Sequence, residues 1–399
     1  MTPVFKLKLS SWAIGSLYGV LILLALTGCN QSDQVVAKPE PSAIGKLIFH
    51  DVSLSASGKQ SCATCHAPTL AHAQPNALVV QPGGAGMDQW GTRTVPSLRY
   101  MARTPAFSYD DEGTPSGGFN HDGSAETLAI QAERPLLAAN EMANLTRNAV
   151  IQKLRNAAYA SQFRQVFGQH SLDDVDTAFE KLGFALQQYQ LLSSEFAPFD
   201  SKYDDYLAGT IKLSAAEARG LTLFNEEKKG NCAACHPSTK SADGKPPVFT
   251  DFTYDSLGLP RNMAIPANAN PAYADLGLCK SGRAGRSAEA SECGKFKVPT
   301  LRNVATRQVF FHNGQFKSLR EAVAFYVRRD THPEEWYPHL ASGKVDKFND
   351  LPRRYHANVN IEEAPYGRKR GQQPALSDKE IDDLVSFLET LTDGYKDAK

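Results

Sequence analysis

The chain has 399 residues, and Lys plus Arg equals Asp plus Glu at 43 each, so its formal net charge is zero. That balance supplies no basic field to draw in nucleic acid, and no nucleic-acid partner is expected. The length exceeds what one ordinary hydrophobic core fills and points to two domains.

Residues 1–28 read as an export signal peptide: Lys6 and Lys8 are followed by an apolar run from Trp12 to Leu26. A plain membrane anchor is the competing reading, but the run is short for a span of about 20 residues. It stops at Leu26-Thr27-Gly28-Cys29, a lipobox-like tetrapeptide. Cys29 is therefore expected to be the first mature residue and to carry a lipid. Residues 29–42 are polar and contain Pro, which suits a flexible tether between a membrane and a folded body. The expected location is the periplasm, anchored through that lipid.

Next in chain order, Gly45-Lys46-Leu47-Ile48-Phe49 has the pattern of an amphipathic helix and precedes Cys62-Ala63-Thr64-Cys65-His66. This is the C-x-x-C-H spacing of c-type haem attachment. Two thiols add to the vinyl groups of one haem, and the adjacent His lies under the iron as proximal ligand. Pro82 to Gly91 and Gly113 to Gly118 are rich in Gly and Pro and read as loops. Asp173 to Ser193 has helical periodicity, and a domain boundary is expected near Phe199 to Leu213.

The second half repeats the first. Gly220-Leu221-Thr222-Leu223-Phe224 precedes Cys232-Ala233-Ala234-Cys235-His236; Val298-Pro299-Thr300-Leu301-Arg302 matches Val95-Pro96-Ser97-Leu98-Arg99; and His312-Asn313-Gly314 matches His121-Asp122-Gly123. The pattern is a divergent duplication. Zinc is the main alternative for a C-x-x-C pair, but a structural zinc site wants four ligands and gives no reason for a His directly after each second Cys. Cys279 and Cys293 flank a Gly- and Ser-rich loop and read as a disulfide closing it. Leu319 to Arg328 and Asp378 to Leu391 are helical in pattern, with Ser377 placed to cap the latter. Alternating strand patterns are scarce. The expected fold is mainly α: two cytochrome c-like helical domains, 43–200 and 201–399, each enclosing one covalently bound haem.

Over nearly the whole mature chain these motifs resemble the bacterial dihaem cytochrome c peroxidase and MauG family. The resemblance rests on both haem motifs, on Gln131-Ala132 with Pro135 and Glu141-Met142, on Val298 to Asn303, and on Phe311-His312-Asn313-Gly314 with the helix after it. It implies that the N-terminal haem meets hydrogen peroxide and the C-terminal haem stores or relays electrons, with His66 and His236 as proximal ligands. Gln131 and Glu141 match the family's distal polar pair and Pro135 a rigid wall residue. A carboxyl with a raised pKa can take a proton from one peroxide oxygen and return it to the other, while Gln131 orients the peroxide by hydrogen bonding.

Tyr326 occupies the place where peroxidases of the family put a Met ligand to the C-terminal haem and MauG puts Tyr. A phenolate favours higher iron oxidation states, whereas a thioether raises the potential. His121 stands where most of the family has an inter-haem Trp. No clean equivalent of the removable distal His is found: His72 reads as a surface or propionate-contacting residue and Met87 as a loop residue, so an open peroxide site is expected. His312 is expected to hold a propionate or backbone. The family's calcium site uses an Asn after an Arg; here Arg93 is followed by Thr94, so calcium is possible but doubtful. The resemblance implies a peroxidase served by a small electron donor such as a cytochrome c or cupredoxin. Its alternative is a MauG-like oxidase that uses peroxide to oxidise a partner protein. A pure electron carrier would not need the Gln131 and Glu141 pair.

Overall fold

The structure, a computed structural model, describes residues 39–396. The expected export signal at 1–28 and the lipid-bearing Cys29 lie outside the described residues, as does most of the tether. The tether is shorter than its composition suggests. Pro41 and Ser42 already belong to helix α1, Pro41–His50, because Pro at a first helical position gives up an amide that has no helical partner there anyway.

Helices carry the fold. After α1 come the single turn α2 (Cys62–Cys65), then α3 (Leu128–Leu137), α4 (Arg147–Asn156), α5 (Ala160–Phe167) and the long α6 (Val175–Leu192). The second half has α7 (Lys202–Leu207), α8 (Ala215–Asn225), α9 (Leu319–Arg328) and α10 (Asp378–Glu389). Most starts are fixed by a side chain that accepts an orphan amide: Thr127 for α3, Thr146 for α4, Asp174 for α6 and Ser318 for α9. Ser214 and Ser377 do so within capping boxes, with Glu217 and Glu380 reaching back. Among the described residues, strands are limited to three two-residue antiparallel pairs: Pro82–Gly83 with Gln89–Trp90, Ser108–Tyr109 with Pro115–Ser116, and Tyr254–Asp255 with Phe296–Lys297. Two of them pin the ends of the expected Gly- and Pro-rich loops.

The two halves build their cores in the same way. In the first, α1 crosses α6 at Gly45, where a Cβ would stand 2.0 Å from the Ala185 carbonyl oxygen. In the second, α8 crosses α10 at Gly220, where a Cβ would stand 2.1 Å from the Asp383 carbonyl oxygen. These are the first glycines of the two repeated pentapeptides. Around the first crossing gather Ile44, Ile48, Phe49, Leu182 and Leu186; around the second, Phe224, Phe249, Phe325, Phe387 and Leu388. The expected boundary stretch is not a bare linker, since α7 lies in it and sends Tyr203 against the rings of Phe249 and Phe387.

The halves are joined through their repeated segments. Arg302 has a fully buried side chain that holds Asp204 by two bonds of 2.8 Å. It also lies 3.8 Å from Asp393. Its counterpart Arg99 donates to the same Asp393 carboxylate at 2.7 Å, and Tyr100 donates to it at 2.5 Å. Cys279 and Cys293 form a disulfide that closes the loop between them.

Candidate functional site

Both C-x-x-C-H motifs fold as one tight turn in which the His amide donates to the carbonyl of the first Cys at 2.8 Å, His66 to Cys62 and His236 to Cys232. The ring Nδ1 of His66 lies 3.1 Å from the Pro96 carbonyl and 3.3 Å from that of His72; Nδ1 of His236 lies 2.7 Å from the Phe249 carbonyl. Carbonyls only accept, so each Nδ1 carries the proton and each Nε2 keeps its lone pair. Burial lowers the pKa of both rings, that of His66 to about 4. A neutral imidazole with Nδ1 tied to backbone and Nε2 free is the form that ligates a metal.

The thiols are set just as deeply. Burial pushes Cys62, Cys232 and Cys235 up to about 12 and Cys65 to about 11, so as free thiols they would stay protonated. Cys232, Cys235 and His236 open onto a cavity of about 330 Å³, within the range of small-molecule and cofactor sites. Tyr326, from α9, lines the same cavity. Its hydroxyl makes no hydrogen bond among the described residues, and burial raises its pKa strongly. The Tyr326 ring stacks on that of Tyr366 at 6.0 Å, also without a partner for the Tyr366 hydroxyl among the described residues. Two thiols, a lone-pair imidazole and an unengaged phenol around one apolar space fit a covalently attached haem.

On the first motif's side, Gln131 and Pro135 lie in α3 and Glu141 in the turn that ends it. Pro135 has no amide to give the Gln131 carbonyl, which weakens the helix there. The turn is nevertheless held firmly. Met142 donates back to the Pro135 carbonyl at 3.0 Å, and the buried Asn144 amide bridges the carbonyls of Leu136 and Leu54, each at 2.8 Å. Gly84 donates to the Glu141 carbonyl at 2.8 Å, and a Cβ on Gly83 would meet the Asn140 carbonyl at 2.2 Å. The Glu141 side chain is solvent-accessible but set deep among protein atoms, so desolvation raises its pKa. Gln60, two residues before Cys62, donates to the Pro82 carbonyl at 3.0 Å and Ala56 to the Met142 carbonyl at 2.8 Å, which ties this turn to the segment leading into the first motif. Gln131 faces the cavity with its amide unengaged among the described residues.

His72 is not on the surface: it is 1 % exposed and stacks on Phe196 with centroids 4.0 Å apart. Left-handed backbone at Ala71 and His72 turns the ring inward, where neither nitrogen has a hydrogen-bond partner. His121 is half-buried, with Nε2 3.0 Å from the Thr94 carbonyl and its pKa lowered to about 4 by desolvation and by Arg93. The His312 ring stacks on Phe296 at 3.6 Å and approaches Asp350 at 3.8 Å. Arg93 is engaged by Asp122 at 2.7 Å and by Asp275 at 2.6 and 2.7 Å. Among the described residues no group of three or more His, Cys, Asp or Glu side chains is arranged to hold a metal ion by itself. Reading the sequence missed Tyr366 and Arg307, both of which line the cavity.

Residues 39–212 match the family model described as di-haem cytochrome c peroxidase. Methylamine utilization protein MauG of Paracoccus denitrificans (strain Pd 1222) is 37% identical over 359 residues, which cover 88% of each chain. The crystal structure of the diheme peroxidase BthA from Burkholderia thailandensis E264 is similar with a TM-score of 0.82 and 39% identity, covering 89% of this chain and 86% of that one. Cytochrome c peroxidase Ccp of Escherichia coli (strain K12) is 27% identical over 292 residues, covering 72% of this chain and 52% of that protein.

Proposed function

Because the chain belongs to the family of di-haem cytochrome c peroxidases and MauG proteins, oxidoreductases that act on peroxide, we propose that it reduces hydrogen peroxide to water at a site built by its first haem motif. Cys62, Cys65 and His66 would hold one haem, and Cys232, Cys235, His236 and Tyr326 the other. When bound, each haem supplies an iron that exchanges single electrons, so that two electrons and two protons convert one peroxide into two waters.

The chain's own part is to bind, orient and move protons. Gln131 offers an unengaged amide to the peroxide. Glu141 takes the proton from the oxygen nearer the first motif and returns it to the departing oxygen, a task suited to a carboxyl whose pKa is raised by desolvation. The rigid turn from Pro135 to Asn144 holds that carboxyl in place. The observation that carries the reading is the set of bonds tying the Glu141 turn to the segment that leads into the first motif: Ala56 donates to the Met142 carbonyl at 2.8 Å, Gly84 to the Glu141 carbonyl at 2.8 Å, and Gln60, two residues before Cys62, to the Pro82 carbonyl at 3.0 Å.

A second reading, oxidation of a partner protein in the manner of MauG, is favoured by Tyr326. An unengaged phenol lining the same cavity as Cys232, Cys235 and His236 offers a hard anionic donor, which supports stored oxidising equivalents rather than rapid delivery of electrons. The partner in the first reading is a small electron-donor protein such as a cytochrome c or cupredoxin; in the second it is a protein substrate. Either would be met outside the cytoplasm, with the chain lipid-anchored through Cys29.

The test is to mix the oxidised protein with peroxide and follow the haem spectrum, then to add a reduced cytochrome c. Oxidation of two cytochrome equivalents per peroxide supports the peroxidase. A long-lived spectral change that reduced cytochrome discharges only slowly supports the MauG-like oxidase. No spectral response to peroxide sinks both.

A further inference from the structure

Several arginines drawn out of solvent in this protein have carboxylate partners. Arg93 is held by Asp122 and Asp275, Arg302 by Asp204, and Arg329 by Asp330. Arg307 is half-buried and forms no ion pair among the described residues. Its Nη2 donates to the Val95 carbonyl at 3.1 Å and its Nε to the Val309 carbonyl at 3.3 Å. Those two bonds leave most of the guanidinium donors unused. Desolvation alone lowers its pKa, to about 10, with no neighbouring anion to offset it. A cation partly withdrawn from water without a counter-charge is unfavourable, and its free donors at the cavity wall suit an anion held in that cavity.

The position of Arg307 says which anion. It lines the cavity onto which Cys232, Cys235, His236 and Tyr326 open. It also crosses to the first half, since Val95 immediately precedes Pro96, whose carbonyl fixes His66. Its charge is felt by the rings of both His66 and His121. Arg307 thus stands between the two motifs and faces the space where haem would lie. A c-type haem is attached to the chain along its vinyl edge and carries two carboxylates on the edge away from the thioethers.

We propose that Arg307 is the counter-ion for a haem propionate at the junction of the two halves, and that through this bond it sets the reduction potential of that haem. The planar guanidinium suits the two oxygens of a carboxylate, which a lysine ammonium matches only as a point charge. The proposal rests on the haem-binding reading above.

Spectroelectrochemical titration of the full chain, with two haems per chain verified by pyridine haemochrome, tests it. Arg307→Gln removes a positive charge beside the carboxylate and so favours ferric iron; one midpoint potential falls, and the band that falls names the haem. Arg307→Lys restores that potential towards the parent value, while the propionate bending band in the resonance Raman spectrum shifts. Unchanged potentials in Arg307→Gln with both haems attached overturn the proposal. So does an equal shift in the Gln and Lys variants, which would trace to the lost bonds with Val95 and Val309 rather than to charge. Should Arg307→Gln not accumulate, the Raman band of Arg307→Lys decides, and an unshifted band overturns the proposal. A parent protein without haem would instead overturn the reading on which it rests.

Discussion

The Lys297 amide donates to the His121 carbonyl at 2.8 Å, and its counterpart in the repeat, Thr94, donates to the His312 carbonyl at the same 2.8 Å. The two halves therefore exchange one equivalent backbone bond in each direction, as two-fold related surfaces do. Thr94 lies two residues before Pro96, which fixes His66. Lys297 precedes Val298, whose carbonyl accepts from the Thr250 hydroxyl at 2.7 Å, and Thr250 follows the Phe249 that fixes His236. The joint between the halves and the orientation of both motif histidines thus share the same short segments.

Glu141→Gln keeps the size of the side chain and much of its hydrogen bonding but removes the transferable proton. Peroxide should still bind, while the first spectral change after mixing slows by about 10²–10⁴, the usual effect of losing a general acid-base group. Stopped-flow absorbance reads this directly, and an unaltered rate would remove Glu141 from the mechanism.

Tyr326→Met alters the other site. Replacing a phenol by a thioether should change the resting visible spectrum and shorten the life of the peroxide-oxidised state, with the initial reaction nearly unaffected. If the resting spectrum and the lifetime both match the parent protein, Tyr326 only packs, and the peroxidase reading gains over the MauG-like one.

Gly45→Ala and Gly220→Ala test the repeated helix crossings. A methyl group at either place meets a backbone carbonyl at 2.0 or 2.1 Å, so the helices must part. The expected loss is about 1–3 kcal/mol or more, as for other overpacked cores, seen as a lower midpoint in thermal unfolding followed by circular dichroism. A midpoint equal to the parent's in both variants would mean that the crossings are looser than described.

Asp350 gives a pH-dependent stability. Burial raises its carboxyl from 3.8 to about 6, against the bond from Asn313 and the charge of Arg261. The folded protein therefore holds this proton when the unfolded chain has released it. Stability contributed here is full below 3.8 and is lost as pH rises to about 6, by about 1–3 kcal/mol. Asp350→Asn keeps an acceptor for Asn313 and cannot ionise, so its urea midpoint should fall less than the parent's between pH 4 and 7. Parallel curves would show that Asp350 ionises normally.

What the sequence disclosed and what it hid divide along chain distance. The helices starting at Leu319 and Asp378 were legible because Ser318, Ser377 and the apolar period are local signals. The short helix Lys202–Leu207 was not, since six residues are too few to show a period. The inward turn of His72 depends on left-handed backbone at two non-glycine residues, which composition does not announce. Arg307 finds its carbonyl partner at Val95, 212 residues away, so nothing near it in the chain reveals that it lines the cavity without a counter-charge.

The carboxylate of Asp393 has a further consequence, in time rather than in space. Arg99 and Tyr100 are made early, yet the group that neutralises one and accepts from the other follows 294 and 293 residues later. A ribosome or translocation pore that has released only the first half has released a domain with a cation and a phenol still waiting. The first half can collapse around Gly45 on its own, but it reaches its final form only when the last helix has docked. A gene cut between the repeats would therefore be expected to yield two impaired pieces, not two independent cytochromes.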